Sequence, residues 1–161
     1  MHRIELPNAE FEGENNAYYL DGPVPGLVDT GIGMPAVMDE LEAGIATRGG
    51  ALADLDEVLL THWHPDHSAL AGPIQEASGA TVRIHEADAP QLRPDPSARE
   101  EAIRDREARF DQWGIPYGKQ AELQAAAPLD HSYWESFPEV EPFADGDRFA
   151  VGGLDLEAVH L

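Results

Sequence analysis

His62-Trp63-His64-Pro65-Asp66-His67 gathers three imidazoles and a carboxylate directly after an apolar run, residues 55–60. A short apolar run of this kind predicts a buried strand, and on extended chain residues i and i+2 point to the same side. His62 and His64 therefore present two rings to one cation at the strand's end. Pro65 breaks the strand. The turn it forces carries Asp66 and His67 to a second position, where a carboxylate oxygen and a ring nitrogen suit Zn²⁺ or another borderline divalent metal.

Upstream of this segment, Ile4 to Leu6 and Ala17 to Leu20 read as short strands, and Gly26-Leu27-Val28-Asp29-Thr30-Gly31 as a strand running into a glycine turn. Pro35 then suits a first helical turn, and Met34, Val37, Met38, Leu41 and Ile45 keep helical spacing until Gly49-Gly50. Downstream, residues 72–78 read as a short helix closed by Gly79 and residues 81–85 as a strand. Strands and helices alternate, which predicts an α/β layered fold. Between Pro94 and Pro128 the alternation stops. Ser97 with Glu100 forms a capping box, Ala102, Ile103, Arg106, Phe110 and Trp113 mark a helix ended by Gly114, and residues 119–126 form a second. This stretch reads as a helical insertion, 94–128, within a single domain 1–161, lying over one edge of the core as a lid would. From Phe143 strands resume, with a hairpin turn at Gly152-Gly153 and the last residue inside an apolar strand. The C-terminus therefore reads as cut.

Composition excludes several functions. The chain has no cysteine, so disulfides, thiol nucleophiles and cysteine-based metal sites are ruled out. Its net charge of −21 repels nucleic-acid phosphates and anionic lipid, which leaves a small-molecule substrate as the expected partner. No apolar run approaches a membrane span, and the N-terminus shows no secretory signal; the chain reads as cytoplasmic. Nine of the ten basic residues are arginine and Lys119 is the single lysine. Such a composition resembles that of proteins from salt-loving cells, where high ionic strength screens self-repulsion.

At His62, His64, Asp66 and His67 the sequence resembles the metallo-β-lactamase-fold hydrolases, whose HxHxDH motif it carries in full. The resemblance extends to Asn16–Gly33, similar to that family's strand-strand-Asp-x-Gly segment, and to residues 145–160. It implies an αββα sandwich of which this chain is the N-terminal half, with Zn²⁺ as cofactor, one ion or two, Fe or Mn being alternatives. On that resemblance His62 and His64 hold a first metal and Asp66 and His67 a second. A metal-bound hydroxide is the nucleophile, Asp66 shuttles the proton, and Asp29 orients a ligand loop from behind the ligands. It further implies a small ester, thioester or lactone as substrate, in the manner of the hydroxyacylglutathione-hydrolase-like branch. The family's remaining ligands fall beyond Leu161, and His160 occupies a non-ligand position.

Other readings are weaker. Leu27-Val28-Asp29-Thr30-Gly31 matches the signature of aspartic proteases, whose paired aspartates share a proton across a dimer. Ile32 follows where those enzymes carry a small residue, and the histidines go unexplained. His85 and His131 stand alone in sequence, Trp113, Tyr133 and Trp134 read as packing residues, and Ser68 lacks a nucleophile elbow. A different class of answer is an inactive half-domain that binds metal weakly or needs a partner chain, a homo-oligomer included, to cover an apolar sheet face. A phosphodiesterase or RNA-processing activity is disfavoured by the charge.

Overall fold

The structure, a computed structural model, describes residues 1–8, 13–93, 96–126 and 133–161, with the side chains of 96–102 and 125–126 left aside. His131, Pro94, Asp95, Pro128 and the proposed Ser97–Glu100 box fall outside what is described. Two compact units emerge, residues 1–93 with 133–161, and residues 94–132.

The first unit is built on a six-stranded sheet: β1 (His2–Pro7), β2 (Glu14–Leu20), β3 (Gly26–Val28), β4 (Glu57–Leu59), β5 (Thr81–His85) and β6 (Val140–Phe143), in that spatial order. β1, β2 and β3 pair antiparallel, and β3 through β6 pair parallel. The parallel steps need crossovers; α1 (Pro35–Ala46) lies in the one from β3 to β4 and α3 (Ala71–Ser78) in the one from β4 to β5. Val37, Leu41 and Ile45 recur at helical spacing on α1, and Ile74 anchors α3. Against them the sheet presents Ile4, Leu6, Ala17, Leu27, Val58, Val82 and Ile84 in one continuous core.

The opposite face of the sheet meets a two-stranded hairpin, β7 (Arg148–Val151) and β8 (Leu154–Glu157), where Leu20, Leu59 and Val151 are buried and Val28, Phe149 and Leu156 pack against them. Register places Arg3, Glu5, Asn16 and Tyr18 on this same face. The face is thus apolar under the hairpin and polar along β1 and β2. No helix among the described residues is long and apolar enough to cross a membrane.

Three expectations are corrected. The return to strands begins at Val140, not Phe143, because β6 pairs with β5 from Val82 onward. β8 stops at Glu157 rather than continuing to Leu161: Ala158 N–H donates to Asp147 O, Gly146 N–H to Ala158 O and His160 N–H to Asp145 Oδ1, bonds that close a turn instead of extending a ladder. Trp113 is 67% exposed and does not pack. It follows the last residue of α4 (Pro96–Gln112), and Gly114 at φ +68° turns the chain away before another helical contact can form. In this second unit α5 (Tyr117–Ala126) follows, and Gln120 Nε2 donates to Asp111 Oδ1 and Ile115 O, tying the helices together.

Candidate metal centre

Two loops at the C-terminal ends of β3 and β4 build the site, the usual location for chemistry in a parallel sheet. Leu60 continues the extended path of β4 by donating to Arg83 O, and the chain then delivers Thr61, His62, Trp63 and His64 before Pro65 opens the short helix α2 (Pro65–Ser68). Proline fits there because the first helical position needs no N–H donor. Asp66 and His67 ride on that turn. Ser68 is fully buried and donates to Trp63 O at 2.7 Å, so it braces the loop from beneath and offers no nucleophile.

The three rings gather. His62 lies 4.7 Å from His64 and 4.2 Å from His67, centroid to centroid. The Asp66 carboxylate is beside them, its Oδ2 3.6 Å from His67 Nε2. Asn15 Nδ2 donates to this Oδ2 at 2.9 Å and to Asp66 O at 2.6 Å.

Asp29, 6% exposed, sits behind the rings. Its backbone takes φ +58°, a conformation that an Asp side chain tolerates better than most. One carboxylate oxygen accepts Thr61 N–H at 2.8 Å, and the other faces His67 Nδ1 at 2.8 Å. The Thr61 hydroxyl lies 2.8 Å from the same carboxylate and 3.0 Å from His62 Nδ1. A carboxylate only accepts, so the hydroxyl donates to it and accepts a hydrogen bond from His62 Nδ1–H. One buried anion therefore orients two rings, His67 directly and His62 through Thr61, and leaves both Nε2 lone pairs unclaimed by these bonds. Thr30 closes the arrangement, donating its N–H and hydroxyl to His67 O at 2.7 and 3.0 Å. With its oxygens committed in this way, Asp29 is no member of a proton-sharing aspartate pair.

Burial, and then the neighbouring His67 and His64, push the His62 pKa below its usual value. The Asp29 hydrogen bond raises that of His67. The shift at His62 favours the neutral ring, the form in which a histidine ligates a metal.

The donors suit a borderline divalent cation in kind. Their arrangement falls short: among the described residues no group of three or more His, Asp or Glu is disposed to hold an ion. His85 is apart from this cluster, its ring stacked on that of His160 at 4.0 Å, and Trp134 and Tyr133 belong to the core or pack on it. Between α1 and α3 a cavity of about 200 Å³ is lined by Met34, Met38, Leu70 and Pro73, with Glu135 as its charged member. Sequence reasoning missed Thr61 and Asn15. For Thr61 the signal was its place between the apolar run and the first histidine; for Asn15 no local pattern pointed to Asp66.

A family model for the metallo-beta-lactamase superfamily matches residues 13–160. The Lactamase-like protein notP of Aspergillus sp. (strain MF297-2) is 42% identical over 58 residues, 36% of this chain and 17% of that protein. The Atrochrysone carboxyl ACP thioesterase of Aspergillus fumigatus is 37% identical over 65 residues, 40% of this chain and 15% of that one. Among solved structures, a metallo-beta-lactamase family protein from Thermus thermophilus aligns with a TM-score of 0.77 at 26% identity, covering 98% of this chain and 50% of that chain. A subclass B3 metallo-beta-lactamase from a soil metagenome library aligns at 0.63 and 21% identity, over 98% and 48%, which bears on the fold alone. The chain spans about half the length of these solved structures and a smaller share of the curated relatives.

Proposed function

Because the chain belongs to the metallo-beta-lactamase superfamily, we propose that it is the metal-binding portion of a hydrolase acting on a small ester, thioester or lactone. The observation that carries this reading is the Asp29 carboxylate, which orients His67 and, through Thr61, His62 by their Nδ1 atoms and uses neither Nε2. His62 and His64 would hold one cation, Asp66 and His67 a second; Zn²⁺ fits the donors, with Fe or Mn as alternatives. Such a cation, when bound, acidifies water and polarises the scissile carbonyl. The Asp66 carboxylate holds and passes the proton to the leaving group.

Two features favour a thioester or ester over a phosphodiester. The Aspergillus fumigatus relative is by name a thioesterase. The charge of −21 opposes a polyanionic substrate, so RNA processing and phosphodiester cleavage are set aside. We further propose a short apolar acyl group as occupant of the cavity between α1 and α3, walled by two methionines, and the hydroxyacylglutathione-hydrolase-like branch as the protein's place in the superfamily. We place the protein in the cytoplasm, with a small-molecule substrate.

A second reading has its own observation. No group of three donors is disposed to hold an ion among the described residues, and fewer than three protein ligands is not typical of catalytic zinc. On this reading residues 1–161 alone bind metal weakly and turn over no substrate, unless a partner chain or a second copy completes the site. Metal content after reconstitution, together with hydrolysis of a chromogenic thioester series, separates the two. Turnover abolished by His62→Ala supports the hydrolase within this chain; weak metal uptake without turnover supports the incomplete site. Absence of any metal uptake overturns both.

A further inference from the structure

We propose that Asn15 is a positioning residue for Asp66, a clamp in which one side-chain amide fixes both the backbone and the carboxylate of that residue. The inference rests on the proposed metal-dependent function of the cluster and adds to it a residue from a different part of the fold.

Asn15 lies in β2, on the helix-bearing face of the sheet with Ala17 and Tyr19, opposite Leu6 of β1. Its Nδ2 reaches Asp66 O at 2.6 Å and Asp66 Oδ2 at 2.9 Å. Both partners only accept, so the amide must turn its nitrogen toward them, and an NH₂ group has two protons to give. The two bonds use both. Asn8, just after β1, adds a longer contact from its own Nδ2 to Asp66 Oδ2 at 3.4 Å.

The consequence is an assignment of the two carboxylate oxygens. Oδ2 is held by the amide from the β2 side, and 3.6 Å from His67 Nε2. Among the described residues the hydrogen bonds to the Asp66 carboxylate all go to Oδ2, which leaves Oδ1 as the oxygen for a cation or a proton. A free carboxylate on a short helical turn rotates about its terminal torsion with little preference. The bond to Asp66 O also restrains the turn itself, at the residue between Pro65 and His67. Aspartate at position 15 would reverse the chemistry, turning an anion and its lone pairs toward two acceptors. Alanine would delete the clamp.

The test uses the full chain labelled with nitrogen-15. In the metal-free protein the Asn15 side-chain protons should exchange slowly with solvent, and this protection should fall in Asp66→Ala, which deletes the carboxylate bond and keeps the one to the backbone oxygen. Co²⁺ is then titrated in and followed by the paramagnetic shifts of the His62, His64 and His67 ring protons. Asn15→Ala and Asn15→Asp should weaken Co²⁺ binding by about 10–100-fold. Asn15→Ser, which keeps one donor, should lie between them and the unaltered protein, and exposed Arg148→Ala should leave binding unchanged. Thermal midpoints check folding, so a variant that unfolds is replaced by the serine form in the comparison. Fast exchange of the Asn15 protons, or Co²⁺ binding within about two-fold of the unaltered protein in folded variants, overturns the clamp. Protection with no Co²⁺ uptake upholds the clamp and overturns the metallo-hydrolase reading instead.

Discussion

His67 Nδ1 lies 2.8 Å from Asp29 Oδ2, a pairing between residues from two different loops that holds a ring at the mouth of the parallel sheet. The aspartate is almost wholly buried, so its charge is compensated by what it touches: the histidine, and the amide and hydroxyl of Thr61. Removing it leaves those donors unpaired. Asp29→Ala should cost about 2–3 kcal/mol, the range for losing a hydrogen-bonded buried charge, with added strain at the left-handed φ. Asp29→Asn, which tolerates that backbone, should fold better than the alanine variant. Urea midpoints of the three proteins rank them.

The same pairing sets a pH dependence in metal-free protein. The His67 pKa is raised in the fold above its ordinary 6.5, so its contribution is fully present below that value and is lost as pH rises through the raised pKa. The His62 pKa is lowered, so the unfolded chain takes up the proton first and stability falls as pH drops from 6.5 toward the lowered value. The two effects act on opposite sides of 6.5. Stability measured in a chelator should fall away on both, and Asp29→Asn should flatten the alkaline limb. An alkaline limb unchanged in that variant would contradict the assignment.

Arg83 stands between Glu57 and Glu141, donating Nε to Glu57 Oε2 at 2.9 Å and Nη1 to Glu141 Oε2 at 2.6 Å, with its guanidinium over the Phe149 ring at 5.7 Å. It bridges the sheet and the β7–β8 hairpin. Arg83→Ala should cost about 1–2 kcal/mol, because Glu57, mostly shielded from solvent, loses its partner. Arg83→Lys should recover part of it, since an ammonium cannot fork between two carboxylates. Denaturant midpoints give both values.

Salt should stabilise the fold. A charge of −21 spreads repulsion over the surface, as on the exposed Asp39, Glu40 and Glu42 of α1, and ions screen it. The thermal midpoint in chelator should rise from dilute buffer to molar KCl. An unchanged or lower midpoint removes the halophilic reading.

Much of this architecture was legible in the sequence because the apolar spacing and the punctuation agree. Val37, Leu41 and Ile45 repeat at helical spacing after Pro35, and Gly79 at φ +76° ends α3 where its glycine predicts. The histidines declared themselves through tight spacing after a buried strand. What stayed hidden depends on partners remote in sequence. β6 reads as Val-Glu-Pro-Phe, with a proline that argues against a strand, and becomes one because β5 offers a parallel edge. Trp113 has the helical period, yet the chain turns before the period can be used. Asn15 looks like any polar strand residue until folding sets Asp66 beside it.

The pairing of β5 with β6 also bears on how the chain finds its fold. Residues 86–139, the whole helical unit included, lie between the two strands that must meet. Closing so long a loop is the slow, entropically costly kind of event, whereas β1–β2 and β7–β8 are hairpins joined locally. The edge strand should therefore zip on late, after α1 and α3 have docked. Loop-closure entropy grows only logarithmically, by about 0.6 kcal/mol for each doubling of length. That makes this connection a place where the fold can gain or lose whole helices at little thermodynamic expense.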